Sequence, residues 1–173
     1  ECRVELTKRN YTLNAERKIG ATGASVYKNT QYVYTLWSCM ELFSLLKDEE
    51  RINFLCDTVD KIGRYENGMV RYCTTEIRYV VPNVTSAAAL MFSIRGEHDK
   101  ATELIDVLEK NQCENGNWRY EIIDEITNVH TPHRCEDSYH LAMMIYHLRG
   151  VARLSNLNAN RMIDRGLSCL VEM

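Results

Sequence analysis

No stretch of this 173-residue chain is apolar for long enough to cross a bilayer, and none sits behind basic residues at the amino end as a signal peptide would. Neither charge sign is in surplus or gathered in a block: 21 basic and 24 acidic residues leave a net charge of −3. That excludes the basic footprint of a nucleic-acid binder and the polybasic patch of a membrane-surface protein. Proline is scarce, with Pro82 and Pro132 the 2 present, and no Ser/Pro-rich linker divides the chain. There is no Gly-rich phosphate loop, no GxSxG elbow and no HExxH pair, so the chemistries those motifs mark have no support.

Cysteine is present but unpatterned. The 7 residues (Cys2, Cys39, Cys56, Cys73, Cys113, Cys135, Cys169) are odd in number and lack the spacing of a zinc knuckle or a disulfide scaffold. A reducing, cytoplasmic compartment is favoured on that ground. Asn10-Tyr11-Thr12 and Asn83-Val84-Thr85 match the glycosylation sequon, which matters only in the secretory pathway. The chain begins at Glu1 rather than Met, the form of a processed product or an excised piece. Its length suits one domain with a sizeable core.

What the chain does contain is a repeat. Phe43-Ser44 leads into Asn67-Gly68-Met69-Val70-Arg71-Tyr72, and Phe92-Ser93 leads into Asn115-Gly116-Asn117-Trp118-Arg119-Tyr120, with the two Asn-Gly pairs 48 positions apart. Ala142 to Gly150 resembles Ala89 to Gly96 and opens a third copy. Within each copy, a helix apolar nearly all round (Tyr32 to Leu46, Val84 to Ile94, Ser138 to Leu148) precedes an amphipathic one. The amphipathic stripes are Ile52, Leu55, Val59 and Ile62, then Ala101, Leu104, Ile105 and Leu108, then Ile163, Leu167 and Leu170. Asn29, Asn83 and Asp137 stand 54 residues apart, each ahead of an inner helix, where a side-chain oxygen can cap the first turn. The Asn-Gly pairs are expected to close the outer helices, and the connections that follow them read as short extended pieces. One helical-hairpin domain is therefore expected, with units at roughly 29–72, 83–120 and 137–173 behind an extended segment 1–28.

Leu104 to Trp118, with Gln112, Gly116 and Trp118, resembles the Q-x(3)-G-x-W repeat of squalene and oxidosqualene cyclases and protein prenyltransferase β subunits. The first copy departs from it, with Arg64 near the Gln position and Val70 for Trp. The resemblance implies an all-α fold of the α/α toroid type, an architecture that also carries polysaccharide lyases and glycoside hydrolases of unrelated chemistry. Three hairpins make an incomplete arc, which a second copy or a larger chain would complete, or an open solenoid.

Four of the 5 histidines fall between His130 and His147. Asp137-Ser138-Tyr139-His140 resembles the D-x-Y-H of prenyltransferase β subunits, which implies His140 as a zinc ligand. His133 and Cys135 would then stand in for the family's upstream D-x-C pair, which is absent here, and imidazole with thiolate suits tetrahedral zinc. A second reading needs no metal: His133, Tyr139 and His140 serve as acid and base, while Arg78 and Asn83 neutralise a substrate carboxylate where the inner helices begin. The ligand would be a small molecule or glycan, uronic-acid-like or, by the resemblance, isoprenoid-like. Absence of the DxDD motif of squalene-hopene cyclases argues against terpene cyclisation. Against all enzyme readings stands a non-catalytic helical-repeat module that binds a partner or oligomerises, with Asp137 a cap and the histidines ordinary core or loop residues.

Overall fold

The computed structural model describes residues 33–73, 79–123, 130–133 and 138–173, with backbone alone for residues 79, 121–123 and 130–133. Six helices form three hairpins: α1 (Val33–Leu45) with α2 (Glu49–Ile62), α3 (Pro82–Arg95) with α4 (His98–Lys110), and α5 (Ser138–Ser155) with α6 (Asn160–Glu172). The core is all-α, an α/α toroid-like arc with α1, α3 and α5 as inner helices and α2, α4 and α6 as outer ones. Short extended segments β1 (Tyr79–Val80), β2 (Tyr120–Ile123) and β3 (His130–His133) pair antiparallel in the order β1-β2-β3, Tyr79 opposite Ile122 and Tyr120 opposite His133. The extended pieces expected in the connections thus become one small sheet.

Helix α3 lies at the centre, packed on α1, α2, α4 and α5. Its residues from Pro82 to Ser93 are all buried, as an all-round apolar sequence requires. Ala87, Ala88 and Ala89 keep it thin, so its neighbours approach closely. Gly150 of α5 meets that surface, since a Cβ there would lie 2.7 Å from Leu90 Cδ1. The outer helices bury single stripes, Leu55, Val59 and Ile62 on α2 and Leu104, Ile105 and Leu108 on α4. Each fully buried side chain of that size contributes about 1.5–3 kcal/mol.

The two Asn-Gly turns are built alike, bond for bond. Gly68 N donates to Tyr65 O (2.9 Å) and Tyr65 N to Met69 O (2.8 Å); Gly116 N donates to Cys113 O (2.9 Å) and Cys113 N to Asn117 O (2.8 Å). The preceding Asn side chain accepts from the residue two positions on in both, Met69 N (3.0 Å) and Asn117 N (3.1 Å). Each turn leans on the next outer helix, Gly68 on Val107 and Gly116 on Arg165. In the second copy Gln112 donates to Gly116 O (2.8 Å) and to Met162 O (3.0 Å), and the Trp118 indole donates to Leu108 O (2.8 Å). In the first copy, with Arg64 and Val70 at those places, Val70 N instead donates to Thr85 Oγ1 (3.0 Å).

Four expectations need correction. Asn83 does not cap α3: Val81 occupies the cap without a side-chain bond, Pro82 takes the first turn because it has no N–H to satisfy there, and Asn83 falls inside the helix. Asn29 and Asp137 lie outside the described residues. The Asn-Gly pairs do not close the outer helices, which end earlier at Ile62 and Lys110; the pairs make the separate turns that follow. Helix α5 runs past Leu148 to Ser155, because Gly150 is held by its contact with Leu90 instead of ending the helix. The buried stripe of α6 is Met162, Ile163, Gly166 and Cys169, while Leu167 is exposed. Gly166 faces inward, close against Ile145 and the Trp118 ring, at 3.3 and 3.6 Å from a built Cβ.

Candidate functional site

Residues three or four apart share a helix face, and three such stripes line the inner side of the arc. On α1 the stripe is Tyr34, Trp37, Glu41 and Ser44; on α3 it is Asn83, Ser86, Leu90 and Ile94; on α5 it is His140, His147, Gly150 and Leu154, flanked by Tyr146 and Arg153. Near the helix starts these stripes are aromatic and polar. Further along they become an open groove.

The first part centres on His147, which is fully buried and ringed by aromatics. Its ring lies 4.7 Å from that of Trp37 and 6.3 Å from that of Tyr34, with Tyr146 at 5.8 Å. Ser86 Oγ donates to Asn83 O (2.9 Å) and lies 2.9 Å from His147 Nδ1. A hydroxyl has one proton to give, so the hydrogen-bond network assigns the histidine proton to Nδ1 and leaves Nε2 an acceptor. Among the described residues Nε2 has no partner, and neither do the Trp37 indole N–H, the Tyr34 hydroxyl or Asn83 Oδ1. Asn83 sits beside Tyr34 and slightly favours its ionised form, yet no hydrogen bond of normal geometry joins them. Burial, with Tyr139 and Tyr72 nearby, pushes the Tyr34 phenol well above its ordinary range, so it stays protonated. Burial alone pulls His147 down to about 4, so it is neutral at physiological pH.

An unpaired buried polar group costs about 1–3 kcal/mol. Four of them on three adjacent helices, two donors and two acceptors, are complementary to a hydroxyl-bearing ligand or to ordered water.

The second part is a groove of about 810 Å³ between the later turns of α1, α3 and α5. Leu45, Leu90, Ile94 and Leu154 supply its apolar walls, and Glu41, Tyr146, Arg149 and Arg153 its polar groups. The Tyr146 hydroxyl donates to Glu41 Oε1 (2.7 Å), tying α1 to α5 across α3, and that bond raises the Tyr146 pKa. Trp37 and Tyr146 rings in edge contact, 6.3 Å apart, join the groove to the buried cluster.

Of the residues expected at the site, Asn83 is buried in the cluster. Tyr139 is exposed at the start of α5, and His140 is half-buried between the rings of Tyr120 (5.5 Å) and Tyr139 (5.3 Å). The β2–β3 register sets the His133 backbone opposite Tyr120, the residue whose ring touches His140. The His133 side chain, Arg78 and Cys135 lie outside the described residues. Among the described residues no three His, Cys, Asp or Glu side chains gather as a metal site would need. Nor is any helix among them long and apolar enough to cross a membrane.

Aromatic residues and a histidine on apolar helices, as Tyr34, Trp37 and His147 are, belong by sequence to an ordinary core, the histidine with a hydrogen bond. His147 has that bond, through Ser86, but its second nitrogen is left over. Polar residues recurring at helical spacing inside apolar helices were the available signal for Glu41, Tyr146, Arg149 and Arg153.

No protein-family model matches the chain, and no curated protein matches it in sequence. Among solved structures, a family 76 glycoside hydrolase from a bovine Bacteroides thetaiotaomicron strain superposes with a TM-score of 0.63 at 14% identity, covering 87% of this chain and 38% of that one. At that identity the likeness is one of fold: it supports the α/α toroid architecture and does not single out the squalene cyclase branch. The chain spans well under half the length of that hydrolase.

Proposed function

We propose that the chain acts on a glycan in a cleft at the N-terminal ends of its inner helices, with further chain or a second copy supplying the rest of the ring. The observation that carries this is the cluster of unpaired donors and acceptors of Tyr34, Trp37, Asn83 and His147 set among aromatic rings. Sugar hydroxyls both donate and accept, and the sugar's C–H faces pack on aromatic rings, so this set of groups suits a carbohydrate better than an isoprenoid, which has no hydrogen bonds to return.

Chemistry is assigned to the mouth of that cleft. Tyr139 and His140 lie in the first turn of α5, and His133 belongs to β3, whose partner strand β2 supplies the Tyr120 ring that touches His140. In a uronic-acid polymer, one of these groups takes the proton α to the carboxylate as the glycosidic oxygen leaves with a proton from another, while Arg78 and Asn83 stabilise the charge that develops. Hydrolysis would instead need two carboxylates, and Glu41 is the one carboxylate that lines the described groove.

Incubation with neutral and uronate polysaccharides is expected to yield unsaturated uronate ends from the latter, and His140→Ala to lower the rate by about 100-fold or more. Folded protein that binds and cleaves none of them would remove the proposal. New reducing ends without unsaturation would keep the glycan and replace elimination by hydrolysis.

A further inference from the structure

We propose that Arg149 and Arg153 form a second, acid-recognising subsite, so that the ligand of the inner face is an acidic oligosaccharide and not a single sugar. This rests on the glycan reading above and names the charge and length of its substrate.

The two guanidiniums are one helical turn apart on α5, so their side chains are neighbours along the groove. Three other arginines pair with carboxylates, Arg64 with Glu103 (3.1 Å), Arg95 with Asp57 and Glu97 (2.6 Å each) and Arg51 with Asp48, while Arg71 and Arg165 bond backbone carbonyls. Arg149 and Arg153 have no ion-pair partner among the described residues, and both are exposed. Glu41, the one carboxylate in the described groove, accepts from the Tyr146 hydroxyl. The groove therefore keeps a net positive charge, one acid against two arginines. Leu45, Leu90, Ile94 and Leu154 give the groove apolar surface on which the faces of a sugar can pack. A guanidinium fork takes a carboxylate in two parallel hydrogen bonds.

The subsite lies far from the mouth. Thirteen residues of α5 separate His140 from Arg153, about 20 Å at 1.5 Å per residue. One sugar cannot span that distance. Continuity of the groove with the aromatic cluster through Tyr146 and Trp37 makes an extended chain lying along the inner face the occupant.

Galacturonate oligomers of graded length, their methyl-esterified uncharged counterparts and polyglutamate serve as probes, with affinity read by calorimetry. The charged oligomer is expected to bind at least about tenfold more tightly than the ester, with affinity rising with length and falling with salt. In Arg149→Gln/Arg153→Gln that preference should disappear while the melting temperature holds, since both side chains are exposed. Equal affinity for charged and esterified oligomers, or a double variant that keeps the preference, overturns the subsite and leaves the glycan reading standing. Wild-type protein that binds neither oligomer brings down both. Polyglutamate that displaces the oligomer at equal concentration overturns it in favour of an acidic protein partner.

Discussion

Gly116→Ala is expected to lower the stability of the whole chain by about 3 kcal/mol or more, whereas Gly96→Ala costs about 1 kcal/mol. The two glycines have nearly the same backbone, φ +89 and +85, so the penalty for placing a Cβ in the left-handed region is common to both. What differs is the surroundings. At Gly96, which caps α3, a Cβ meets nothing within 4 Å. At Gly116 it would lie 2.2 Å from the Arg165 carbonyl oxygen and 2.7 Å from its carbon, and backbone cannot rotate away as a side chain can. Helix α6 must retreat, which stretches the bonds from Gln112 to Met162 O and from Arg165 to Cys113 O, and draws Gly166 away from Trp118. Gly68→Ala should fall between, because the atom it meets is Val107 Cγ2, on a side chain that can turn. Urea midpoints of the three variants, at unchanged slope, give the ranking. Equal losses at positions 96 and 116 would mean that the second turn does not hold the third hairpin.

That ranking follows from the repeat, which is also the part of the fold most legible in the sequence. Spacing alone placed α2 and α4, since a stripe of apolar residues every three or four positions has only one way to bury itself. The Gln112, Gly116 and Trp118 pattern told where hairpins join, because each of the three residues has a distinct bond or close contact in that turn. Boundaries were less legible. Asn83 has the chemistry of a cap, but Pro82 decides the helix start by having no N–H to satisfy, and Asn83 becomes the second helical residue. On α6 the leucines at 167 and 170 continue the apolar spacing from Ile163, yet the helix buries Met162, Ile163, Gly166 and Cys169, with Gly166 against Ile145 and Trp118. The site was hardest to read, for the same reason. Tyr34, Trp37 and His147 belong to apolar helices, and sequence cannot tell a buried polar atom that finds a partner from one that does not; that depends on where the neighbouring helices place their own groups.

Acid should test His147 directly: wild-type stability is expected to fall by about 3 kcal/mol between pH 6.5 and 4 for reasons that His147→Leu abolishes. The folded-state pKa of about 4 lies below the ordinary 6.5, and burial is the cause, with no facing charge to offset it. Below 6.5 the unfolded chain binds a proton that the folded one refuses. The neutral imidazole's contribution is therefore fully present above pH 6.5 and is lost as pH falls through the window to about 4, at about 1.4 kcal/mol per pH unit. Other groups titrate in acid too. Glu97 is held below its ordinary value: desolvation is the largest influence and opposes this, but its bonds to Arg95 and Lys100 outweigh it, so its pairing also weakens at low pH. The informative quantity is thus the difference between wild type and His147→Leu, flat above pH 6.5 and moving toward the variant below it. Parallel curves would mean that the imidazole is reached by solvent. The same proton bears on function, because Nε2 is the buried atom without a hydrogen-bond partner among the described residues. In the proposed glycan site it would accept a ligand hydroxyl while neutral and become a donor once protonated, so glycan binding that uses it should hold down to pH near 5 and weaken toward 4. His147→Leu should weaken that binding at neutral pH and remove its His147-dependent acid limb.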